Sequence, residues 1–209
     1  MANTNTTAIM KKTILLLIIT FEVISYASCQ KTSKNPKLNI SFNRNVEVLS
    51  IIYCLTEDGQ MMLKSSPDFT FQNELIEEFI DYSNHPSVVT ALNLNRNGNT
   101  FWWDALVTLA HHCDQFPKGK LNNKLPDFTL QRANSDLEKA DSVIKNFINQ
   151  INDFYNVAKL DDYFIAYSPM YDQIENEIEK NLPKEDFIKE LEEFYKKTNK
   201  SYTLCPSPI

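Results

Sequence analysis

The amino-acid sequence predicts a mainly α, multi-helix domain with one or two short N-terminal strands. From residue 71 onward, apolar residues recur at steps of three and four, which is the period of a helix with one buried face. Hydrophobic residues make up 43% of the 209 residues, enough to build a core and to exclude intrinsic disorder. Segments with strand-like alternation are few and short, so a mainly helical class is favoured.

The first half of the chain begins with strand-like segments and continues as helices. Residues 38–42 alternate apolar and polar side chains, as a short strand does. Residues 46–55 are mostly apolar, and periodicity leaves both a buried strand and a buried helix open. Residues 71–82 carry one apolar helical face, and Pro86 opens a second helix, which the Asn97-Gly98-Asn99 turn ends.

A third helix is predicted from Trp103 to Cys113, followed by a polar loop over residues 114–126. The long segment 136–155 has the most regular helical period in the chain. Residues 161–182 continue this pattern, with Pro169 either ending a first piece or kinking the helix.

The last predicted elements are a helix over residues 183–197 and a strand over residues 202–205. Acidic residues crowd the first turn of this helix and lysines its last turn, as the helix dipole favours. We find no repeat of 30–45 residues, so a solenoid is not supported.

Glycine is scarce, and this excludes the common nucleotide sites. Gly59, Gly98 and Gly119 are widely separated, so neither a Walker A loop nor a GxGxxG fingerprint can be drawn. A formal net charge of −6 argues against a nucleic-acid partner, because such proteins usually carry a basic stripe. We therefore expect no nucleotide, no nucleic acid and no cofactor.

The N-terminal region has the parts of a bacterial lipoprotein signal. Lysines follow Met10, the run 13–21 is apolar, and small residues precede Cys29 in the sequence Tyr-Ala-Ser-Cys. The apolar run is shorter than the roughly 20 residues that a spanning helix needs. Residues 1–9 fit no signal peptide, so we expect translation to start at Met10 and Cys29 to be the lipidated residue.

The expected organisation has three parts. Residues 1–28 form the upstream extension and signal peptide, residues 29–37 the lipidated cysteine and its tether, and residues 38–209 a helical domain. The membrane is reached through the lipid anchor, since an acidic domain gains nothing electrostatically from an anionic bilayer. The residues after Cys29 are not acidic, which favours a position facing the periplasm over one on the cell surface.

No catalytic or metal-binding motif is present. GxSxG, HExxH and CxxC are all missing from the sequence, so we name no catalytic residue and no metal ligand. The remaining cysteines, Cys54, Cys113 and Cys205, are odd in number and their spacing matches no zinc motif. Cys54 and Cys113 lie in apolar patterns that are typical of small core residues, and at most one disulfide could form.

Trp102, Trp103 and His112 are the candidates for ligand binding. Adjacent tryptophans could stack on a sugar ring, because aromatic faces bind carbohydrate in many proteins. The alternative for this pair is that one ring is core and the other a partly exposed lid on it.

His112 shares a helical face with Asp104 and Thr108, and a remote carboxylate could complete a site there. The competing interpretation is that His111 and His112 interact with the free carbonyls at the end of a helix. His85 precedes a proline and is interpreted as a helix-entry residue.

A series of short segments resembles domain-of-unknown-function family 4932, a family of bacterial secreted proteins and lipoproteins. The segments are residues 46–53, 84–88, 104–112, 161–171 and 187–195, and the resemblance covers roughly residues 38–204. Longer members of this family continue into a C-terminal half with an HExxH helix, the motif of zinc peptidases.

None of the HExxH positions exists in this chain, so no site residue is transferred from the family. The resemblance implies that the chain corresponds to the non-catalytic N-terminal half, an incomplete portion of a larger α+β protein. Its first functional interpretation is thus a lipid-anchored envelope protein without the catalytic segment. The alternative is an autonomous lipoprotein module that binds a peptide or a glycan, and a third is a hydrolase that uses His111 or His112.

Lipidation can be tested by replacing the acceptor. We expect Cys29→Ala to abolish labelling of the protein with radioactive palmitate and to leave uncleaved precursor, because both reactions need the thiol. Cys205→Ala, which lacks the signal context, should still be labelled and cleaved. Labelling that persists in Cys29→Ala would contradict the assignment.

Overall fold

The computed structural model describes residues 37–64, 70–183 and 187–208, and this part of the chain is mainly helical, as predicted. Cys29, the signal segment and residues 29–36 of the tether lie outside the described residues. The described helices are α1 (Arg44–Leu55), α2 (Glu57–Lys64), α3 (Thr70–Phe79), α4 (Pro86–Leu94), α5 (Trp103–His111), α6 (Asp127–Ala133), α7 (Leu137–Val157), α8 (Leu160–Asn181) and α9 (Phe187–Tyr195). The strands are β1 (Lys37–Ile40) and β2 (Ser201–Leu204), and a 3₁₀ turn spans Ile80–Tyr82.

Two compact units can be distinguished. The larger one comprises Asn39–Glu185 and Thr203–Ile209, and the smaller one Met1–Leu38 with Asp186–Tyr202, in each case considered over its described residues. In the smaller unit, the Glu192 carboxylate on α9 accepts hydrogen bonds from the Tyr202 hydroxyl at 2.9 Å and from the Asn199 backbone N–H at 3.2 Å. The three cavities that the described residues line at the candidate sites all lie within the larger unit.

The central element of the larger unit is α1. The chain enters it through Asn43, whose side chain accepts hydrogen bonds from the N–H groups of Asn45 and Val46. Every residue from Asn45 to Leu55 is buried, and α1 packs against α2, α3, α4, α5 and α7. The segment that the sequence left open between strand and helix is therefore a helix buried on all sides.

Three elements differ from the sequence prediction. Thr56 ends α1, but α2 begins at once at Glu57 where only a turn was expected, and α6 was not predicted. The partner of β1 is not a second N-terminal strand. It is β2, from the other end of the chain, and the two form a short parallel sheet.

The other predicted helices are confirmed, with small shifts at their ends. Asp136 caps α7 by accepting from the N–H groups of Glu138 and Lys139, and the predicted apolar face of α7 is buried. Helix α8 continues through Pro169 as one element. Residues 182–183 are not helical, so the described part of the final helix starts later than predicted, at Phe187.

In the part of the chain that the structure describes, no helix combines the length and the apolar character that crossing a bilayer needs.

Gly59 makes the close contact between α2 and α1 possible. A Cβ at this position would overlap the carbonyl oxygen of Tyr53 and lie 2.9 Å from its carbonyl carbon. We expect Gly59→Ala to lower the free energy of unfolding by about 1–3 kcal/mol, because the backbone of α1 has no room to move. Denaturant titration followed by circular dichroism measures this change.

Gly98 provides the control for that experiment. Its φ is +86°, a value that asparagine tolerates better than most residues, and nothing lies within 4 Å of a Cβ there. Gly98→Asn should therefore cost less than about 1 kcal/mol. Equal losses for both variants would contradict the packing role of Gly59.

Candidate functional site

The tryptophan pair lies at the start of α5 and is accessible to solvent. Trp102 is 44% exposed and Trp103 is 37% exposed, so the expectation that one of them is core is wrong. The Trp103 ring centroid lies 6.1 Å from that of Tyr53 on α1. Trp103 thus rests against the central helix, while Trp102 offers the more open ring.

His112 lies at the opposite end of α5 and is held by the helix itself. Its Nδ1 donates to the carbonyl oxygen of Thr108 at 2.8 Å, which confirms the helix-end interpretation. A nine-residue helix is about 14 Å long, so the structure does not bring His112 to the tryptophans. Asp104, on the same face, is paired with Arg132.

His85 is confirmed as a helix-entry residue. It is the N-cap of α4, and its Nδ1 accepts from the backbone N–H of Ser87 at 3.2 Å. Its Nε2 lies 3.2 Å from Oδ2 of Asp153 on α7. His85 therefore ties the start of one helix to another.

The described residues contain no group of three or more His, Cys, Asp or Glu side chains that could hold a metal ion. Cys54, Cys113 and Cys205 are free thiols, and the first two are buried, as predicted. Burial raises the pKa of Cys54 and of Cys113 to about 12, so both are protonated near neutral pH. They are core residues without nucleophilic character.

A cleft of about 490 Å³ lies between α4, the turn that follows it, and α7. Small polar and apolar residues line it together with five asparagines, which are Asn93, Asn97, Asn99, Asn134 and Asn146. None of its lining residues is charged. We call this surface the asparagine cleft.

A second surface surrounds the N-terminus of α1, where a cavity of about 610 Å³ is lined by Asn43, Asn45, His111, Cys205 and neighbouring residues. The amide of Asn45 donates to the carbonyl oxygens of Ala110, Cys113 and Asp114 at 3.1–3.2 Å, and its oxygen accepts from Phe116 N–H at 3.0 Å. Asn45 is thus fully used in holding the loop after α5 against α1.

A smaller cavity of about 230 Å³ lies beside this one, on the α8 side of Ser41, Phe42 and Arg44. Glu47 lies in its wall and is only 1% exposed. Its Oε2 accepts from the Tyr171 hydroxyl at 3.1 Å, whereas its Oε1 is buried and, within the described residues, has no hydrogen-bond partner. We call this the Glu47 cavity.

Burial raises the pKa of Glu47 to about 7, although Ser207 and Tyr171 act in the opposite direction. A carboxyl group that titrates near neutrality in a cavity wall is a frequent mark of a functional site. Sequence reasoning missed it. The only available signal was one acidic residue inside the apolar run 46–55.

Comparisons with protein-family models, with curated proteins and with solved structures give no match to this chain.

The raised pKa of Glu47 makes stability depend on pH. The unfolded carboxyl titrates at about 4.5 and the folded one at about 7, so the folded state holds the proton more tightly. This difference contributes about 3 kcal/mol to the free energy of unfolding. The contribution is fully present below pH 4.5 and is lost as the pH rises through 7. Glu47→Gln should therefore gain stability relative to the native chain by about that amount between pH 4.5 and pH 8.

Denaturant titrations at several pH values measure this difference in unfolding free energy. The exposed Glu74 on α3 gives the matched control. Glu74→Gln should run parallel to the native chain across the same range. If Glu47→Gln runs parallel as well, Glu47 does not hold its proton in the folded protein.

Proposed function

We propose that this chain is a lipid-anchored protein of the bacterial cell envelope, facing the periplasm, whose helical domain is a binding module for a glycan. The proposal for the anchor rests on the signal-like N-terminus and Cys29. The proposal for the ligand rests on one observation, the uncharged asparagine cleft.

The chemistry of the asparagine cleft supports a neutral, hydroxyl-rich ligand. An asparagine amide has two donors and an accepting oxygen, and a sugar hydroxyl both donates and accepts. Among the five, Asn134 already uses its oxygen to accept from the Asp136 backbone N–H at 2.9 Å. Thr90 and Ser142 add two hydroxyl groups to the lining. A charged ligand would find no counter-charge among the lining residues.

Trp102 lies close enough to take part. Only two residues separate Asn99 in the cleft from Trp102, so the Cα atoms of Asn99 and Trp102, three steps apart, are at most about 11 Å from each other. The segment between them is fixed, because Thr100 N–H donates to the carbonyl oxygen of Arg132 at 2.9 Å. An oligosaccharide that extends from the cleft could therefore stack on this exposed ring.

Membership of family 4932 is kept as part of the proposal. It rests on the resemblance of residues 38–204 alone. The alternative ligand of the binding module is a peptide, and the surface that suits a peptide side chain is the Glu47 cavity.

Tryptophan fluorescence gives a direct test, because Trp102 and Trp103 are the only tryptophans of the chain. Titration of the detergent-solubilised protein with a panel of neutral oligosaccharides should give saturable quenching for at least one of them. The double variant Asn93→Ala/Asn146→Ala, which changes two exposed positions of the cleft, should raise Kd about tenfold through lost hydrogen bonds.

Asn123→Ala, in the exposed loop before α6, is the control and should leave Kd unchanged. Trp102→Phe distinguishes the two rings and should remove most of the signal change. Absence of saturable quenching by any of the oligosaccharides, or equal Kd values for the cleft and control variants, would overturn the proposal.

A further inference from the structure

The Glu47 cavity combines negative charge with aromatic walls. Its carboxylates are those of Glu47, Asp172 and Glu175, and its rings are those of Phe42, Phe164 and Tyr171. At about 230 Å³ it has the volume of seven or eight water molecules, enough for a short alkyl chain with a polar end. This composition differs from that of the uncharged asparagine cleft.

Glu47, a residue of the cavity wall, carries a buried acceptor, Oε1, that has no hydrogen-bond partner among the described residues. With the side chain 1% exposed, a buried carboxylate oxygen without a partner loses hydration and gains nothing in return. Tyr171 satisfies only Oε2. A donor that enters the cavity and reaches Oε1 would recover this free energy.

The one cationic side chain among the lining residues of the Glu47 cavity, Arg44, already has partners. Arg44 lies 5.1 Å above the Phe164 ring, and its Nη1 lies 3.3 Å from the Tyr155 hydroxyl and 3.5 Å from Oδ1 of Asp161. Glu175 accepts from the backbone N–H of Phe42 at 2.8 Å. These contacts involve other groups of the wall, and within the described residues Oε1 of Glu47 keeps no hydrogen-bond partner.

A primary alkylammonium group fits these features better than other chemical classes. It carries three N–H donors and a positive charge on a flexible apolar stem, which suits carboxylate oxygens lined by aromatic rings. A guanidinium is planar and bulkier at its head, and an anion would meet three carboxyl groups. A neutral hydroxyl would satisfy Oε1 without using the charge.

We propose that the Glu47 cavity binds the terminal ammonium group of a primary alkylamine, such as a lysine side chain of a peptide, with Glu47 Oε1 as its acceptor and Phe42, Phe164 and Tyr171 around the alkyl stem. This inference is independent of the glycan proposal, because it concerns different residues and a different ligand.

The charge on Glu47 makes binding depend on pH. Ammonium binding requires the carboxylate, and burial places the Glu47 pKa near 7, so affinity should increase from pH 5 to pH 8. The other titratable or charged groups that face Glu47 or its cavity are Arg44, Cys54, Tyr163, Tyr171, Asp172 and Glu175. Burial raises the pKa of Cys54 and of both tyrosines above this range, so these three groups stay uncharged between pH 5 and pH 8.

Isothermal titration of the detergent-solubilised protein with Nα-acetyl-lysine methylamide tests the proposal. We expect saturable binding that is at least tenfold weaker at pH 5 than at pH 8, and no saturable binding of the Nε-acetylated compound, which has the same stem without the charge. 1,4-Diaminobutane forms a second arm. Tighter binding of the diamine would identify a free polyamine rather than a peptide as the source of the ammonium.

Two variants and one control complete the design. Glu47→Gln should weaken binding at least tenfold while keeping the fold, and the exposed Ser168→Leu should block the cavity without touching Glu47. Glu179→Gln removes one exposed carboxylate from the same helix outside the cavity and should change Kd less than twofold.

Unchanged affinity in both Glu47→Gln and Ser168→Leu, or equal binding of the acetylated compound, would overturn the proposal. Quenching of tryptophan fluorescence by oligosaccharide should survive in Glu47→Gln. A failure at one surface can therefore be told apart from a failure at the other.

Discussion

The structure depends on the burial of α1 on all of its sides. A helix that is surrounded by other helices cannot turn a polar face to water, so each polar group on it needs a partner inside the protein. Ser50 and Thr56 meet this need locally, with hydroxyls that donate to the carbonyl oxygens of Val46 at 2.8 Å and of Tyr53 at 2.6 Å. Asn45 meets it by holding the loop that follows α5. For Glu47, Oε2 accepts a hydrogen bond from the Tyr171 hydroxyl, whereas Oε1 has no partner among the described residues.

The polar group of α1 that is satisfied least completely, Glu47, lies in the first turn of that helix. The connection from β1, the loop after α5 and the middle of α8 all come together around Asn43–Glu47, and two cavities lie between them. The helix dipole favours an anion in the first turn, yet burial outweighs it and raises the pKa of Glu47. The folded protein thus carries a destabilising carboxyl group that a cation can use.

The asparagine cleft has a different physical character. It lies on the outside of α4 and α7, where the neutral amides are hydrated and cost the fold little. Selectivity there would come from the direction of hydrogen bonds, whereas the Glu47 cavity would select by charge and by apolar contact. The two surfaces share no lining residue, so each would recognise its own class of ligand.

The helical class and the amphipathic helices can be predicted from the amino-acid pattern alone, because a one-sided apolar face at a 3.6-residue period is a local property. The buried face of α7, the cap at Asp136 and the helix entry at His85 could all be predicted in this way. The nature of 46–55 could not be, since an apolar run without a polar face fits a strand or a helix equally well. Tertiary contacts place this segment at the centre of the larger unit, pair β2 with β1 across some 160 residues of chain, and bury Glu47 with one oxygen unpaired among the described residues. These outcomes depend on neighbours distant in sequence, and local periodicity carries no information about them.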